Sequence, residues 1–264
     1  DTKGFHSPKL FLNDGKGVFS LKADAISDSV VTIAGTISAG DLDGDGDADL
    51  FIGGRVSQKY PLSARSFILE NIKGKFRDVT STVCPSLQLP GMVSSSVWTD
   101  FSGDGSPDLV IAGEWMDIRF FVNQGGKLVE ITNTTGLSHI SGMWRSLITA
   151  DVDNDGDMDF IAGNLGLNCM YKVTATEPME LFSADLDGNG SIDPILFYYI
   201  KDEDGKRRSF PAISRGLFAE QVPSIKRKFL RYNDYANADF KTIFKGISKE
   251  KILRLFCNET RSCY

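Results

Sequence analysis

Short apolar runs recur in pairs along most of the chain, and an acidic segment separates the two runs of each pair. The runs before the acidic segments are residues 37–40, 97–99, 147–150 and 181–184. The runs after them are residues 50–54, 109–113, 160–163 and 194–199. Short apolar runs bounded by glycine and other turn residues are typical of buried β-strands. The pattern therefore predicts four pairs of strands, each joined through an acidic connection.

Each acidic connection is a nine-residue loop with oxygen-bearing side chains at positions 1, 3, 5 and 9. The candidate ligands are Asp41, Asp43, Asp45 and Asp49; Asp100, Ser102, Asp104 and Asp108; Asp151, Asp153, Asp155 and Asp159; and Asp185, Asp187, Asn189 and Asp193. Calcium is a hard cation that prefers oxygen ligands. Glycines such as Gly44 and Gly46 permit the strained backbone that a tight wrap requires. We predict three or four bound Ca²⁺ ions.

The acidic loops allow two other interpretations. An EF-hand loop begins with the same spacing, but it requires a glutamate at position 12 and flanking helices. Position 12 is Ile52, Ile111, Ala162 or Leu196 here, which excludes an EF-hand. A plain polar hairpin is the second alternative, because Asp-Gly is a common turn dipeptide. The second loop is the weakest candidate because Ser102 replaces a carboxylate. Position 7 varies in type, so we expect no side-chain role there.

Three further segments, residues 10–19, 67–80 and 120–132, complete a repeating pattern with the loops. With them the chain resembles the FG-GAP or VCBS repeat, the calcium-binding blade of integrin alpha-chain propellers, in which such segments form the outer hairpin. Residues 40–54, 91–115 and 148–171 are also similar to large bacterial proteins related to cartilage acidic protein, which carry these repeats as a propeller. The resemblance covers most of residues 8–200.

The resemblance implies an all-β β-propeller in which the ion bridges neighbouring strands of a blade and is structural. The uneven loop spacing allows about four or five blades. The chain is then a small ring, an open arc or part of a larger propeller, and we favour part of a larger one, with five blades as the alternative. Residues 1–200 are assigned to blades. Residues 201–264 are assigned to a final blade remnant plus a helical C-terminal cap of the same domain.

Helical spacing of apolar residues is found in the tail. The apolar positions of the first predicted helix are Phe240, Ile243, Phe244 and Ile247. Asn237 is its expected N-cap and Gly246 its expected end. Ser248 is expected to start a second short helix. The apolar residues of that helix are Ile252, Leu253, Leu255 and Phe256. The apolar residues are expected to cover exposed sheet and so cap the propeller, with a dimer or interdomain contact as the alternative.

Charge and cysteine content favour an extracytoplasmic setting. The formal net charge is −6, but outside the acidic loops the chain carries more basic than acidic residues. The basic residues of the tail alternate with apolar ones, as on a solvated face, so no nucleic-acid partner is expected. No apolar run reaches the roughly 18 residues of a membrane helix. Four cysteines suit an oxidising compartment, and Cys257 and Cys263 are close enough in sequence to form a disulfide. We expect a secreted, periplasmic or cell-surface protein.

Patterns typical of catalysis are sparse. His6 and His139 are the only histidines, and neither lies in a recognised catalytic motif. Aspartates that bind calcium cannot serve as acid or base. We therefore predict a non-enzymatic module that binds an extracellular protein or glycan, with Trp115 and Trp144 as candidate contacts. The alternatives are a scaffold part of a larger surface protein, and a propeller hydrolase or lyase acting on polysaccharide.

Overall fold

The computed structural model of the protein describes residues 7–263, in which the strands form five antiparallel sheets. The first sheet is the hairpin of β1 (Leu10–Asn13) and β2 (Phe19–Lys22). The second contains, in order, β3 (Ala34–Gly40), β4 (Asp49–Gly54), β5 (Phe67–Ile72) and β6 (Lys75–Asp78). The third contains β7 (Met92–Thr99), β8 (Asp108–Met116), β9 (Arg119–Asn123) and β10 (Leu128–Glu130), with the short β11 (Gly142–Met143) beside the end of β8.

The fourth sheet is the hairpin of β12 (Ser146–Ala150) and β13 (Asp159–Gly163). The fifth contains β14 (Met179–Ala184), β15 (Asp193–Lys201) and β16 (Arg207–Pro211), with β17 (Leu253–Cys257) on the other side of β14. The helices are α1 (Thr80–Val83), α2 (Arg215–Gln221), α3 (Ile225–Lys228), α4 (Tyr232–Ala236) and α5 (Phe240–Ile243). The all-β, propeller-like fold with short C-terminal helices is thus confirmed. His6 lies outside the described residues.

Every acidic loop joins the first strand of a sheet to the second, as the sequence predicts. The pairs that close the four loops are Gly40 with Asp49, Thr99 with Asp108, Ala150 with Asp159 and Ala184 with Asp193. The last aspartate of each loop is therefore also the first residue of a strand. Because strand pairing fixes both ends of the loop, the ligand positions 1 and 9 are held near each other.

The third sheet is buried on both faces, as in a stack of blades. Along β8, Leu109 and Ile111 pack into a core with the second sheet, whereas Val110 and Ala112 pack into a core with Trp144 and the fourth sheet. Successive side chains of a strand point to opposite faces, which explains why all nine residues of β8 are buried. The sheets are therefore stacked face to face.

The first strands of the second, third and fourth sheets lie side by side. The Ser96 hydroxyl of β7 bonds to that of Ser38 in β3 at 2.7 Å, and the Ser95 hydroxyl accepts a bond from the Leu147 amide of β12 at 2.9 Å. A side chain at Gly35 would place its Cβ 2.1 Å from the Val93 carbonyl oxygen. Only glycine allows this approach between β3 and β7.

The tail differs from its prediction in two ways. The N-cap of α5 is Asp239, whose carboxylate accepts the Thr242 amide at 2.8 Å, so the expected cap Asn237 is wrong. Ser248 does start a short 3-10 helix, Lys249–Lys251, as predicted. The apolar residues assigned to that helix are wrong, because Leu253–Cys257 form β17, which pairs with β14. Strand addition satisfies the backbone groups along an open sheet edge, and this outweighs the local helical spacing. The sequence did not predict α2, α3 or α4.

The helical segment nevertheless covers the fifth sheet, as expected. Phe218 of α2 and Ile243 of α5 share one core with Ile195 and Phe197 of β15. The four cysteines are free thiols. The candidate bridge between Cys257 and Cys263 is not formed, because Cys257 is buried in the fifth sheet while Cys263 bonds to Ala162 of the fourth sheet.

Candidate metal centre

The first acidic loop brings three aspartates together. Carboxylate oxygens of Asp41, Asp43 and Asp45 lie within 4.8 Å of one another. The Asp41 carboxylate also accepts the backbone N–H groups of Gly44 at 2.9 Å and Gly46 at 3.0 Å. Both glycines have positive φ, 78° and 90°, which wraps the loop around the carboxylates. The loop thus presents several oxygen ligands toward one point.

The last aspartate of the first loop anchors the loop to the sheet. Asp49 is 1% exposed, and its two oxygens accept the Leu42 amide at 2.8 Å and the Asn71 amide at 2.7 Å. In the second loop, Asp108 accepts the Ser102 and Asn123 amides in the same way. The structure therefore uses position 9 as a support for the loop as well as a candidate ligand.

The third and fourth loops each form a group of three carboxylates that includes position 9. The groups are Asp151, Asp153 and Asp159, and Asp185, Asp187 and Asp193. In the fourth loop, Asp193 accepts the Leu186 amide at 2.9 Å and the Gln221 side-chain amide at 3.1 Å, which ties this loop to α2. In three of the four loops the structure thus brings three predicted ligands together as a carboxylate group, and these groups do not include Asp49 of the first loop or Asp155 of the third.

The second loop departs from the others. Within residues 7–263 it forms no group of three converging carboxylates, because Ser102 stands at position 3. Asp100 still accepts the amides of Gly103, Asp104 and Gly105, so the loop keeps the same wrap. That this site is the weakest of the four stays a prediction.

The electrostatics of the first loop favour a bound cation. Asp47 Oδ1 is shielded from solvent and has no hydrogen-bond partner among the described residues. Desolvation, followed by repulsion from Asp45 and Asp43, raises the pKa of Asp47. Burial also raises the pKa of Asp49. A divalent cation would remove this repulsion, and the oxygen-only donor set fits calcium. That position 7 has no side-chain role stays a prediction. The buried Oδ1 of Asp47, which is unpaired among the described residues, argues against it.

In the fourth loop, the first aspartate is stabilised in its ionised form. Backbone N–H groups, of which that of Gly190 contributes most, lower the pKa of Asp185. The Asp185 carboxylate accepts the amides of Gly188, Asn189 and Gly190 at 2.7 to 3.1 Å. Because these bonds favour the ionised form, Asp185 is ready to accept a cation without losing a proton.

Two asparagines that the sequence analysis did not single out hold the loops in place. The Asn71 side chain donates to the Ala48 carbonyl of the first loop, and that of Asn123 donates to the Pro107 carbonyl of the second. The Asn123 amide also reaches the Leu42 carbonyl at 2.8 Å, which links two neighbouring loops. The sequence contains a signal for these asparagines, because each is followed three residues later by a glycine of the outer hairpin, Gly74 or Gly126.

Comparison with known families agrees with this geometry. Residues 3–52 and 100–162 match the FG-GAP-like repeat. The matched segments contain the first three acidic loops, and the fourth lies outside them. No match to a curated protein was found. Two segments of the chain are therefore similar to FG-GAP-like repeats, whereas similarity to the relatives of cartilage acidic protein stays a prediction.

At the ends of the sheets opposite the acidic loops, charged side chains meet in a cluster. The Glu114 carboxylate of β8 is 8% exposed and pairs with both Arg55, after β4, and Arg145, before β12. Trp115 has a positive φ of 60°, and its indole N–H donates to the Tyr60 hydroxyl at 3.3 Å. Desolvation raises the pKa of Tyr60. Three successive sheets are thus joined on this face.

The two tryptophans that were predicted as partner contacts are buried, and His139 lies in a turn. Trp115 is 8% and Trp144 1% exposed, so both are core residues and cannot act as exposed stacking platforms. The Trp144 indole donates to the Met116 carbonyl at 3.0 Å. His139 lies in a turn with φ of 70°, and its amide donates to Asp117.

None of the helices in residues 7–263 is long and apolar enough to span a membrane.

Proposed function

We propose that the chain is a secreted or cell-surface module in which calcium stabilises a propeller that binds a protein or a glycan. The observation that carries the calcium role is the convergence of three carboxylates at the same place in three different sheets. Exposed acidic groups are common on proteins, but recurrence at the same hairpin position supports a site that belongs to the repeat. The bound ions are proposed to be structural.

The proposed structural role follows from where the loops lie. Each loop connects the first two strands of a sheet, and in the third loop the amides of Val152 and Gly156 already bond to loop carboxylates. An ion at the centre would hold the remaining carboxylates and offset their mutual repulsion. Aspartates bound in this way are not available as acid or base, which supports a non-enzymatic role.

The proposed binding role is supported by the repeat architecture. FG-GAP-like repeats suggest a propeller-type binding module, and connecting loops at one end of stacked sheets commonly carry the contacts to partners. Binding to arrays of glycans and to extracellular proteins, with heat-denatured chain as the control, would identify the ligand class. A screen of polysaccharides for cleavage addresses the enzyme alternative.

Elemental analysis tests the calcium proposal directly, together with thermal melts in calcium, magnesium and EDTA. We expect three or four calcium ions per chain and a large fall in melting temperature in EDTA. Magnesium should restore little stability, because it requires near-octahedral geometry and gives up water reluctantly. An absence of bound calcium with the same melting temperature in all three solutions would overturn the proposal and return the loop aspartates to the candidate catalysts.

A further inference from the structure

A groove of about 700 Å³ lies between the fifth sheet and the C-terminal segment. Tyr199 and Arg207, on β15 and β16, line one side of the groove, and Phe240 and Lys241 of α5 line another. The volume is within the range of about 300–1,000 Å³ that is typical of ligand sites. The groove lies away from the acidic loops and is lined by none of their candidate ligands.

Several cationic side chains line the groove. Five of its lining residues are cationic, and two, Glu180 and Asp239, are acidic. All three arginines pair with acidic side chains: Arg207 with Glu177 at 2.5 Å, Arg254 with Glu180 at 2.6 Å, and Arg208 with Asp202 and Asp204. These pairs hold the guanidinium groups in place and balance their charge. The five cationic residues are Arg207, Arg208, Lys241, Lys249 and Arg254.

The two lysines of the groove supply charge that the protein does not neutralise. In the part of the chain that the structure describes, no ion pair includes Lys241 or Lys249. Both residues are exposed. The free ammonium groups can donate charge-assisted hydrogen bonds to an anion such as a carboxylate.

Aromatic rings form an apolar surface in the same groove. The rings of Phe182 and Phe240 are 4.3 Å apart, and Phe240 stacks on Phe244 at 4.9 Å. The Arg254 guanidinium lies 6.0 Å from the centre of the Phe182 ring. Phe240 and Tyr199 are partly exposed, so their rings offer apolar area to a ligand.

We propose that this groove binds an acidic polysaccharide through its uronic acid units. A uronate has an apolar ring face for the aromatic surface, a carboxylate for the lysines, and hydroxyl groups that can donate to Glu180 and Asp239. Those two carboxylates would repel a densely charged polyphosphate or nucleic acid. The inference rests on the proposed function as a binding module and assigns it a ligand class and a site.

The test is isothermal titration calorimetry with a short galacturonate oligomer and the neutral galactose oligomer of the same length, at one fixed calcium concentration. We expect the intact chain to bind the acidic oligomer, to ignore the neutral one, and to bind more weakly as salt rises. The double variant Lys241→Ala/Lys249→Ala should weaken binding roughly fivefold to tenfold, since each exposed charge pair contributes modestly.

Two further variants separate the groove from general charge and from folding. Lys226→Ala/Arg227→Ala removes the same charge from the exposed positions of α3 outside the groove and should leave affinity unchanged. Lys241→Arg/Lys249→Arg should keep the affinity. Equal binding of the neutral oligomer, tighter binding of polyphosphate, no binding of the galacturonate oligomer, or equal weakening by both alanine pairs would overturn the inference. A protein or neutral glycan ligand found elsewhere would leave the proposed function standing.

Discussion

The aspartates within one acidic loop have different roles, and the third loop separates them most clearly. Asp151 accepts the amides of Asp155 and Gly156, and Asp159 accepts the amide of Val152. Asp153 accepts no hydrogen bond within the described residues, although its carboxylate lies in the same group. The wrap of the loop therefore depends on positions 1 and 9, whereas position 3 is free to serve an ion alone.

We expect Asp153→Ala to lower the thermal stability of the protein in calcium and to leave it unchanged in EDTA. A site filled at about a hundredfold above its Kd stabilises the native state by roughly 2.7 kcal/mol, and this contribution would be lost. Thermal melts of the variant and the intact protein in both solutions measure the difference. Identical shifts in calcium and EDTA would mean that the third loop holds no ion.

Asp159→Ala is the matched control in the same loop. It should lower stability in both solutions, because the Val152 amide loses its acceptor at 2.9 Å whether or not calcium is present. A lost hydrogen bond of this kind costs about 1 kcal/mol. An Asp159→Ala variant that is as stable as the intact protein in EDTA would contradict the anchoring role of position 9.

The first loop should release protons when it binds calcium. The pKa values of Asp47 and Asp49 are raised in the folded, calcium-free loop. Between the ordinary carboxyl pKa of about 3.9 and the raised values, the folded loop binds more protons than the unfolded chain, so these groups stabilise it as pH falls. Calcium requires ionised carboxylates, and its stabilising effect should therefore weaken as pH falls through the same window.

Calorimetry of calcium binding in buffers of different ionisation enthalpy measures the released protons. We expect the release to grow as pH is lowered toward that window, and to shrink in an Asp47→Asn variant. The fourth loop should contribute little, since backbone N–H groups lower the pKa of Asp185. A proton release that Asp47→Asn leaves unchanged would show that the raised pKa of Asp47 does not affect ion binding.

At the level of elements, the outer hairpins support the acidic loops through asparagine. Asn123 is 2% exposed, and its side chain donates to the Leu42 and Pro107 carbonyls and accepts the Gly126 amide. We expect Asn123→Ala to lower the free energy of unfolding by about 2–4 kcal/mol, because three hydrogen bonds are lost and buried groups are left unpaired. Urea denaturation in calcium measures the change.

Asn13→Ala provides the control in an equivalent hairpin. The Asn13 side chain accepts the Gly15 and Gly17 amides, but it is exposed and contacts no acidic loop among the described residues. Its replacement should cost less than about 1 kcal/mol, since water can take the place of the lost acceptor. A comparable loss of stability from Asn13 and Asn123 would show that the link between hairpin and loop adds nothing.

The sequence predicts the paired strands well because their signal is local. Apolar runs on both sides of an acidic loop can satisfy their backbone groups only by pairing with each other, and β3 with β4 or β12 with β13 do so. The fate of residues 253–257 depends instead on β14, more than 70 positions earlier in the chain. Within Leu253–Cys257 only Arg254 is polar, so the segment shows no clear alternation, and the helical spacing upstream favoured a helix.

The residues of the candidate site also divide into those that local spacing identifies and those that depend on contacts between distant segments. The candidate ligands that converge could be found from spacing, since one loop supplies each group. The support of Asp49 by Asn71 and the shared position of Glu114 between Arg55 and Arg145 join segments that are far apart in sequence. Such pairings depend on how the sheets stack, which local patterns do not specify.

At the scale of the whole molecule, several hydrophobic cores are shared between neighbouring sheets, while the fifth sheet has a further core with the C-terminal helices. The core of the second and third sheets contains Cys84, whereas a second core joins Cys257 to Met92 and Trp115 of the third sheet. Stacked repeats gain much of their stability from such interfaces between neighbours. The assignment of residues 1–200 and 201–264 to one domain is still a prediction, and these two thiols provide a test of it.

We expect Cys84 and Cys257 to become reactive together when EDTA removes calcium. Both are buried in the folded protein, and burial raises the pKa of Cys257 to about 12, so little reactive thiolate is present. Timed labelling followed by mass spectrometry reports each thiol separately, and the exposed Cys263 should react in either solution as the internal control. Equal labelling rates at Cys84 and Cys257 across an EDTA titration would mean that the stacked sheets open as one unit. Labelling of Cys84 while Cys257 stays protected would instead divide the chain into a calcium-dependent set of sheets and an independently stable C-terminal part.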